Sequence, residues 1–194
     1  MAHGDIIFPC DQDDHWRMDK VEYMSRIMES HSEIDVPVGR YSLWTSENII
    51  HTQTMHGSFS LWNTFREIID RLSNFKNYRV ETEKLIKKPF NSKFLSLEPA
   101  CCLCVRKTFS DSLKQYWIPE YGHDAYLTYY SKLKDSFYYL DKVVINWRYH
   151  EGSASRPKRR QRSIRISELD RNAKVLDLLT RYIHDNEVSD ADIK

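Results

Sequence analysis

The stretch Gly4-Asp5-Ile6-Ile7-Phe8-Pro9-Cys10-Asp11-Gln12-Asp13-Asp14-His15-Trp16 decides how the rest of the chain is read. Its apolar run, Ile6 to Phe8, stops at Pro9 and opens into three carboxylates within four residues. β-branched and aromatic residues favour a pleated strand, and proline ends the hydrogen-bond ladder, so the run reads as a short buried strand closed by a turn. Carboxylates this close repel one another unless a cation or hydrogen-bond donors neutralise them. In open α/β sheets, ligands sit just beyond the carboxyl ends of strands. The pattern therefore predicts a Mg²⁺ or Mn²⁺ site able to hold a diphosphate through its metal. The same spacing also fits an acidic helix start, in which Asp13 or Asp14 caps the helix that follows.

Outward from this stretch, Val21, Met24, Ile27 and Met28 recur at spacings of three and four, which predicts a helix over residues 18–31. Residues 31–46, with Pro37 and Gly39, read as loop containing at most one short strand. Leu61, Phe65, Ile68 and Leu72 predict a second helix over residues 57–74. Phe94 to Val105 reads as a buried strand running into a helix near residues 107–116. Its Cys101, Cys102 and Cys104, with Cys10 elsewhere, are too crowded for a disulfide framework and point to a reducing compartment. Cys101-x-x-Cys104 has no second Cys/His pair at zinc spacing, so small buried thiols are the better reading.

His123-Asp124 then opens an amphipathic helix through Tyr126, Leu127, Tyr130 and Leu133. Asp124 either caps that helix or, kept ionised by the positive end of the helix dipole, serves as a general base. Phe137 to Trp147 reads as a strand and leads into Trp147-Arg148-Tyr149-His150-Glu151-Gly152-Ser153. An arginine fork suits a diphosphate, and an imidazole can serve a metal or a leaving phosphate.

Three of these segments, in this order, resemble family 2 glycosyltransferases, in particular rhamnosyltransferase-like enzymes of bacterial surface polysaccharide synthesis. Gly-Asp-x-Ile-x-Phe-x-x-Asp-Gln-Asp-Asp-x-Trp with Lys20 looks like the family's Asp-x-Asp region; His-Asp-x-x-Leu-x-x-Tyr resembles its Glu-Asp or His-Asp motif; and residues 147–153 resemble its Tyr-Arg-x-His-x-x-Asn segment, with Trp147 for the Tyr and Ser153 for the Asn. The resemblance covers residues 4–154 and implies an α/β fold, the C-terminal portion of a GT-A, Rossmann-like domain: a mixed sheet with flanking helices. It implies inverting transfer from a nucleotide-sugar donor to a glycan or lipid-linked acceptor. Asp124 would be the base, Asp11 and Asp13 the metal ligands, and Asp14, Arg148 and His150 neighbours of the donor diphosphate. His123 and Trp147 would lie on the acceptor side. Pro99-Ala100-Cys101 stands where the family carries small residues, often glycine, lining that side. Residues 1–10 enter the first strand almost at once, and because a donor-binding half precedes this motif in the family, the resemblance implies the C-terminal portion of such an enzyme, from a truncated or split gene or a start codon placed too late. The alternative to a truncated or split enzyme is a non-catalytic remnant, or a partner subunit without activity of its own.

The 194 residues carry a net charge of +1, which specifies no partner for the whole chain. The 12 tyrosines and 5 tryptophans suit sugar faces but serve cores as readily. No run of 18 apolar residues is present and the N-terminus does not read as a signal peptide, so the expected location is the cytoplasm, at most peripheral at the inner membrane face. Residues 156–165 hold six positive charges and no acid, a block fitting an anionic membrane surface, nucleic acid (the weakest reading) or a solvated linker. Leu169, Ala173, Leu176, Leu179 and Ile183 predict a C-terminal amphipathic helix capped by Ser167. The expected organisation is a partial GT-A domain over 1–155, a basic linker over 156–166, and a helix with a polar tail over 167–194.

Overall fold

The computed structural model describes residues 3–44, 49–52, 85–87, 98–118, 122–148 and 162–188. It is a mixed α/β structure built on a mixed five-stranded sheet with flanking helices. The centre of that sheet is a parallel pair, β3 (Val36–Trp44) and β7 (Phe137–Arg148). β4 (Ile49–Thr52) lies antiparallel on the far side of β3. On its other edge β7 takes two short antiparallel partners, β5 (Leu85–Lys87) against Tyr138–Leu140 and β2 (His15–Trp16) against Ile145–Asn146. β1 (Ile6–Ile7) and β6 (Val105–Arg106) form a separate antiparallel pair.

The opening apolar run forms a strand only over Ile6–Ile7, half-buried rather than buried, and its partner is one antiparallel neighbour outside the main sheet. α1 (Lys20–Ser30) follows β2 and buries Tyr23, Met24, Ile27 and Met28. Val21, expected on the buried stripe, is exposed; Lys20 and Tyr23 face inward instead. The exit of α1 is held by Arg106, whose Nη2 donates to the carbonyls of Met28, His31 and Ile34 at 2.9, 3.3 and 3.1 Å. These are carbonyls that a helix end and its following turn leave without intrahelical donors.

The reading of residues 31–46 as loop is corrected: β3 is nine residues long and central. Its proline is tolerated because Pro37 needs only to accept, which it does from the Cys104 N–H at 3.3 Å. Gly39 sits where β7 bulges between Tyr139 and Val143, and an added Cβ would meet both Val144 methyls at 2.5 Å. Residues 100–102, expected in a buried strand, form a 3-10 turn (Ala100–Cys102) before β6. The cysteines there are buried as expected, and all four in the chain are free thiols. The helix foreseen over 107–116 divides into α2 (Lys107–Ser112) and a 3-10 turn at Lys114–Tyr116.

α3 (His123–Leu133) is buried along its length from Ala125 to Leu133, so it is not the amphipathic helix its spacing promised. Two of its polar residues are accommodated: Ser131 Oγ donates to the Leu127 carbonyl at 2.5 Å, and Lys132 Nζ lies 5.2 Å from the Phe137 ring centre; Thr128 Oγ1 is buried with no partner among the described residues. α4 (Arg162–Asp185) runs 24 residues and covers the outer side of the tyrosine cluster with Val175, Leu179 and Tyr182. It begins at Arg162, so Ser167 is an interior residue and the last part of the expected basic linker is helical. Leu176, placed on the stripe by spacing, is exposed. The helix expected over 57–74 and residues 156–161 of the basic block lie outside the described residues. Among the described residues, no helix is long and apolar enough to cross a membrane.

Candidate functional site

The acidic run occupies the connection from β1 to β2. Asp11 is exposed, whereas Asp13 and Asp14 are half-buried. Neither Asp13 nor Asp14 caps α1; the residue before that helix is Asp19, whose carboxylate pairs with Lys142 on β7 at 2.6 Å. Asp14 turns inward because β2 is zipped to the end of β7. Its Oδ1 accepts the Arg148 backbone N–H at 3.0 Å. Its Oδ2 is buried and meets no donor at hydrogen-bonding geometry among the described residues; the weak S–H of Cys101 and the carboxylates of Asp11 and Asp13 are its polar surroundings. Burial raises the Asp14 carboxyl above its ordinary value, against the lowering influence of the Arg148 N–H.

One ligand atom each from Asp11, Asp14 and Cys101 lie within 4.8 Å of one another. Two carboxylates suit a hard divalent cation, which needs only one or two such ligands alongside water and phosphate oxygens. The thiol suits it less well. Cys101 is also held protonated, first by its hydrogen bond with Cys102 and then by burial. Asp13, expected as a ligand, stands outside this trio.

Beneath the loop lies a residue whose part spacing did not disclose. Lys20 is fully buried; its Nζ donates to the Cys101 carbonyl at 2.6 Å and sits 3.8 Å over the Trp16 ring. Burial lowers its pKa. The ammonium thereby ties the start of α1 to the 3-10 turn and keeps Cys101 under Asp14. Its only signal in the sequence was its place four residues after Trp16.

Asp124 is the second residue of α3, after the extended Gly122, and accepts the Ala125 N–H at 2.8 Å. Its Oδ1 would lie 2.4 Å from a Cβ on residue 122, so glycine is what lets the carboxylate take this position. α3 returns through Lys134–Ser136 into β7. Asp124 stands outside the Asp11, Asp14 and Cys101 trio.

His123 is exposed. The Arg148 side chain is exposed too, and its backbone, not its guanidinium, contacts Asp14. Trp147 is half-buried with its ring edge-on to Tyr41 at 5.0 Å and 89°, so much of it serves packing. His150 lies outside the described residues. No protein-family model matches the chain, and no curated protein matches it.

Proposed function

We propose that this chain is a GT-A type glycosyltransferase of the family 2, rhamnosyltransferase-like kind. It would move a sugar from a nucleotide-sugar donor to a growing bacterial glycan at the cytoplasmic side of the membrane. The observation that carries the reading is the orphaned, inward-turned Oδ2 of Asp14 beside Asp11 in the connection that carries the Asp-x-Asp resemblance. A buried carboxylate oxygen without a donor is costly unless a cation completes it.

In this reading Asp11 and Asp14 hold Mg²⁺ or Mn²⁺, which supplies charge stabilisation for the departing nucleoside diphosphate. Asp14 is oriented by the Arg148 N–H, and the Lys20–Cys101 link supports it from below. Arg148 and His150 serve the same diphosphate, and Asp13 can reach it only through the metal. Asp124, at the start of α3, accepts the proton of the attacking acceptor hydroxyl. His123 and Trp147 border the acceptor.

The test is thermal unfolding with Mn²⁺ and uridine, guanosine and thymidine diphosphates in turn. One diphosphate with Mn²⁺ should raise the melting temperature by on the order of 5 °C at saturation. Asp11→Asn and Asp14→Asn should each abolish the rise. Asp14→Asn should also stabilise the metal-free protein at neutral pH. Its folded-state carboxyl is raised, so its contribution is present below the unfolded value and lost as pH rises through the folded one. No rise with any diphosphate would overturn the enzyme reading in favour of a remnant or partner without its own activity.

A further inference from the structure

The trio beneath the acidic loop mixes donor types in a way that a magnesium site does not. Asp11 and Asp14 supply oxygens, and Cys101 supplies a sulfur within 4.8 Å of both. Mg²⁺ takes oxygen ligands in a near-ideal octahedron and gains little from a thiolate. Zn²⁺ takes sulfur and oxygen together, and three protein ligands with one open position is a common arrangement for it. The third donor, not the two acids, therefore decides which cation the site prefers.

The sulfur is held in place by the fold. Cys101 is 1% exposed and lies in the 3-10 turn Ala100–Cys102. The Cys102 N–H closes that turn on the Pro99 carbonyl at 2.9 Å, and Lys20 Nζ holds the Cys101 carbonyl at 2.6 Å. The Lys20 ammonium is engaged there and over the Trp16 ring at 3.8 Å, so it does not satisfy Asp14 Oδ2. Asp14 is fixed in turn by the Arg148 N–H on its Oδ1, which leaves the buried Oδ2 without a donor beside the Cys101 thiol. With Zn–S about 2.3 Å and Zn–O about 2.1 Å, sulfur and oxygen on one tetrahedral ion stand about 3.6 Å apart. The trio is thus at most about 1 Å wider than one such ion needs, and the carboxylate of the exposed Asp11 can rotate inward.

We propose that Cys101 is the third ligand of the cation at Asp11 and Asp14, and that its sulfur makes the site select Zn²⁺ over Mg²⁺. The cation takes the place of the thiol proton, which is released to solvent as the metal–sulfur bond forms. The fourth position stays open for water or an anionic oxygen. This inference rests on the proposed function for its Asp11–Asp14 cation pair, and not for the diphosphate or the sugar.

The experiment is a titration of the full chain with Co²⁺, a spectroscopic stand-in for Zn²⁺, read by absorbance. A thiolate bound to Co²⁺ gives an intense near-ultraviolet charge-transfer band that carboxylates do not. The expected result is a saturable band at one Co²⁺ per chain, bleached by an equivalent of Zn²⁺ and untouched by a large excess of Mg²⁺. Cys101→Ser should remove the band, while Cys10→Ser, at an exposed thiol outside the trio, should keep it. Asp11→Asn, at an exposed position that folding does not depend on, should weaken Co²⁺ by about tenfold or more. In competition with Mn²⁺, Cys101→Ser should cut the preference for Zn²⁺ by about tenfold or more, since the softer ion loses its favoured ligand. Absence of the thiolate band, or a band that survives Cys101→Ser in protein folded by circular dichroism, overturns the assignment, whether or not Mn²⁺ and a nucleoside diphosphate stabilise the chain. Should Cys101→Ser fail to fold, Asp11→Asn decides, and undiminished Co²⁺ affinity in that variant overturns it too. A band that depends on Cys101, with no stabilisation by any diphosphate, keeps the thiol ligand and removes the enzyme reading.

Discussion

Gly122 and Asp124 show how little space decides where a carboxylate sits. A methyl group on residue 122 would meet Asp124 Oδ1 at 2.4 Å, and the carboxylate, as the free end of a side chain, would rotate away. Gly122 has an ordinary extended backbone, so alanine strains nothing else. If Asp124 is the base proposed above, Gly122→Ala should cut glycosyl transfer on the order of 100-fold while costing no more than about 1 kcal/mol of stability as an N-cap change. Parallel kinetics and calorimetry check this, and unchanged turnover would dissociate Asp124 from the chemistry. Lys20 behaves oppositely, because it touches no ligand and holds the floor of the site. Lys20→Ala leaves a cavity and strips the Cys101 carbonyl of its donor, an expected cost of about 3 kcal/mol in denaturant unfolding. Lys20→Met, which keeps the volume, should cost less than half of that. At this scale the sequence disclosed the acids, because three carboxylates in four residues are visible in a line. It could not disclose that Asp14 rather than Asp13 joins Asp11, since only the pairing of β2 with β7 decides which carboxylate turns inward.

At the scale of elements, β7 was legible because its β-branched and aromatic residues form a long run. β3 was hidden by the two residues that make it unusual. Pro37 is harmless where only its carbonyl is used, and Gly39 is required where the β7 bulge brings Val144 against the β3 backbone. Val144 is fully buried, so its methyls have nowhere to retreat. Gly39→Ala should destabilise by about 1–3 kcal/mol through overpacking. The cause is separable: Gly39→Ala combined with Val144→Ala should cost less than the sum of the single changes, because the new methyl fills the space of the lost ones. Additive costs in a denaturant double-mutant cycle would assign the glycine some other role. α3 was misread for a related reason. Thr128, Ser131 and Lys132 gave it a polar face on paper, yet all three are buried, since α4 and the sheet enclose it.

At the scale of the whole molecule, the long-range partners of the site lie far from the acidic loop in sequence. Cys101 reaches Asp14 across 87 positions, and no local pattern signals that meeting. The same holds for α4, which supplies the outer wall of the tyrosine cluster. Tyr182 stands edge-on to Tyr116 at 5.2 Å and 75° and to Tyr130 at 4.9 Å and 67°. Asp185, the last residue of α4, accepts the Tyr116 hydroxyl at 3.0 Å. Through Tyr130 and Tyr126 these contacts continue to Trp117, so α4 should steady a surface it does not touch. Tyr182→Ala removes a buried ring from the middle of that chain and should cost about 3–5 kcal/mol by analogy with other aromatic truncations. The Trp117 indole resonance should broaden or move in the same variant. If denaturant unfolding shows the loss of stability while the Trp117 resonance stays sharp and in place, the rings pack locally and do not act as a continuous brace.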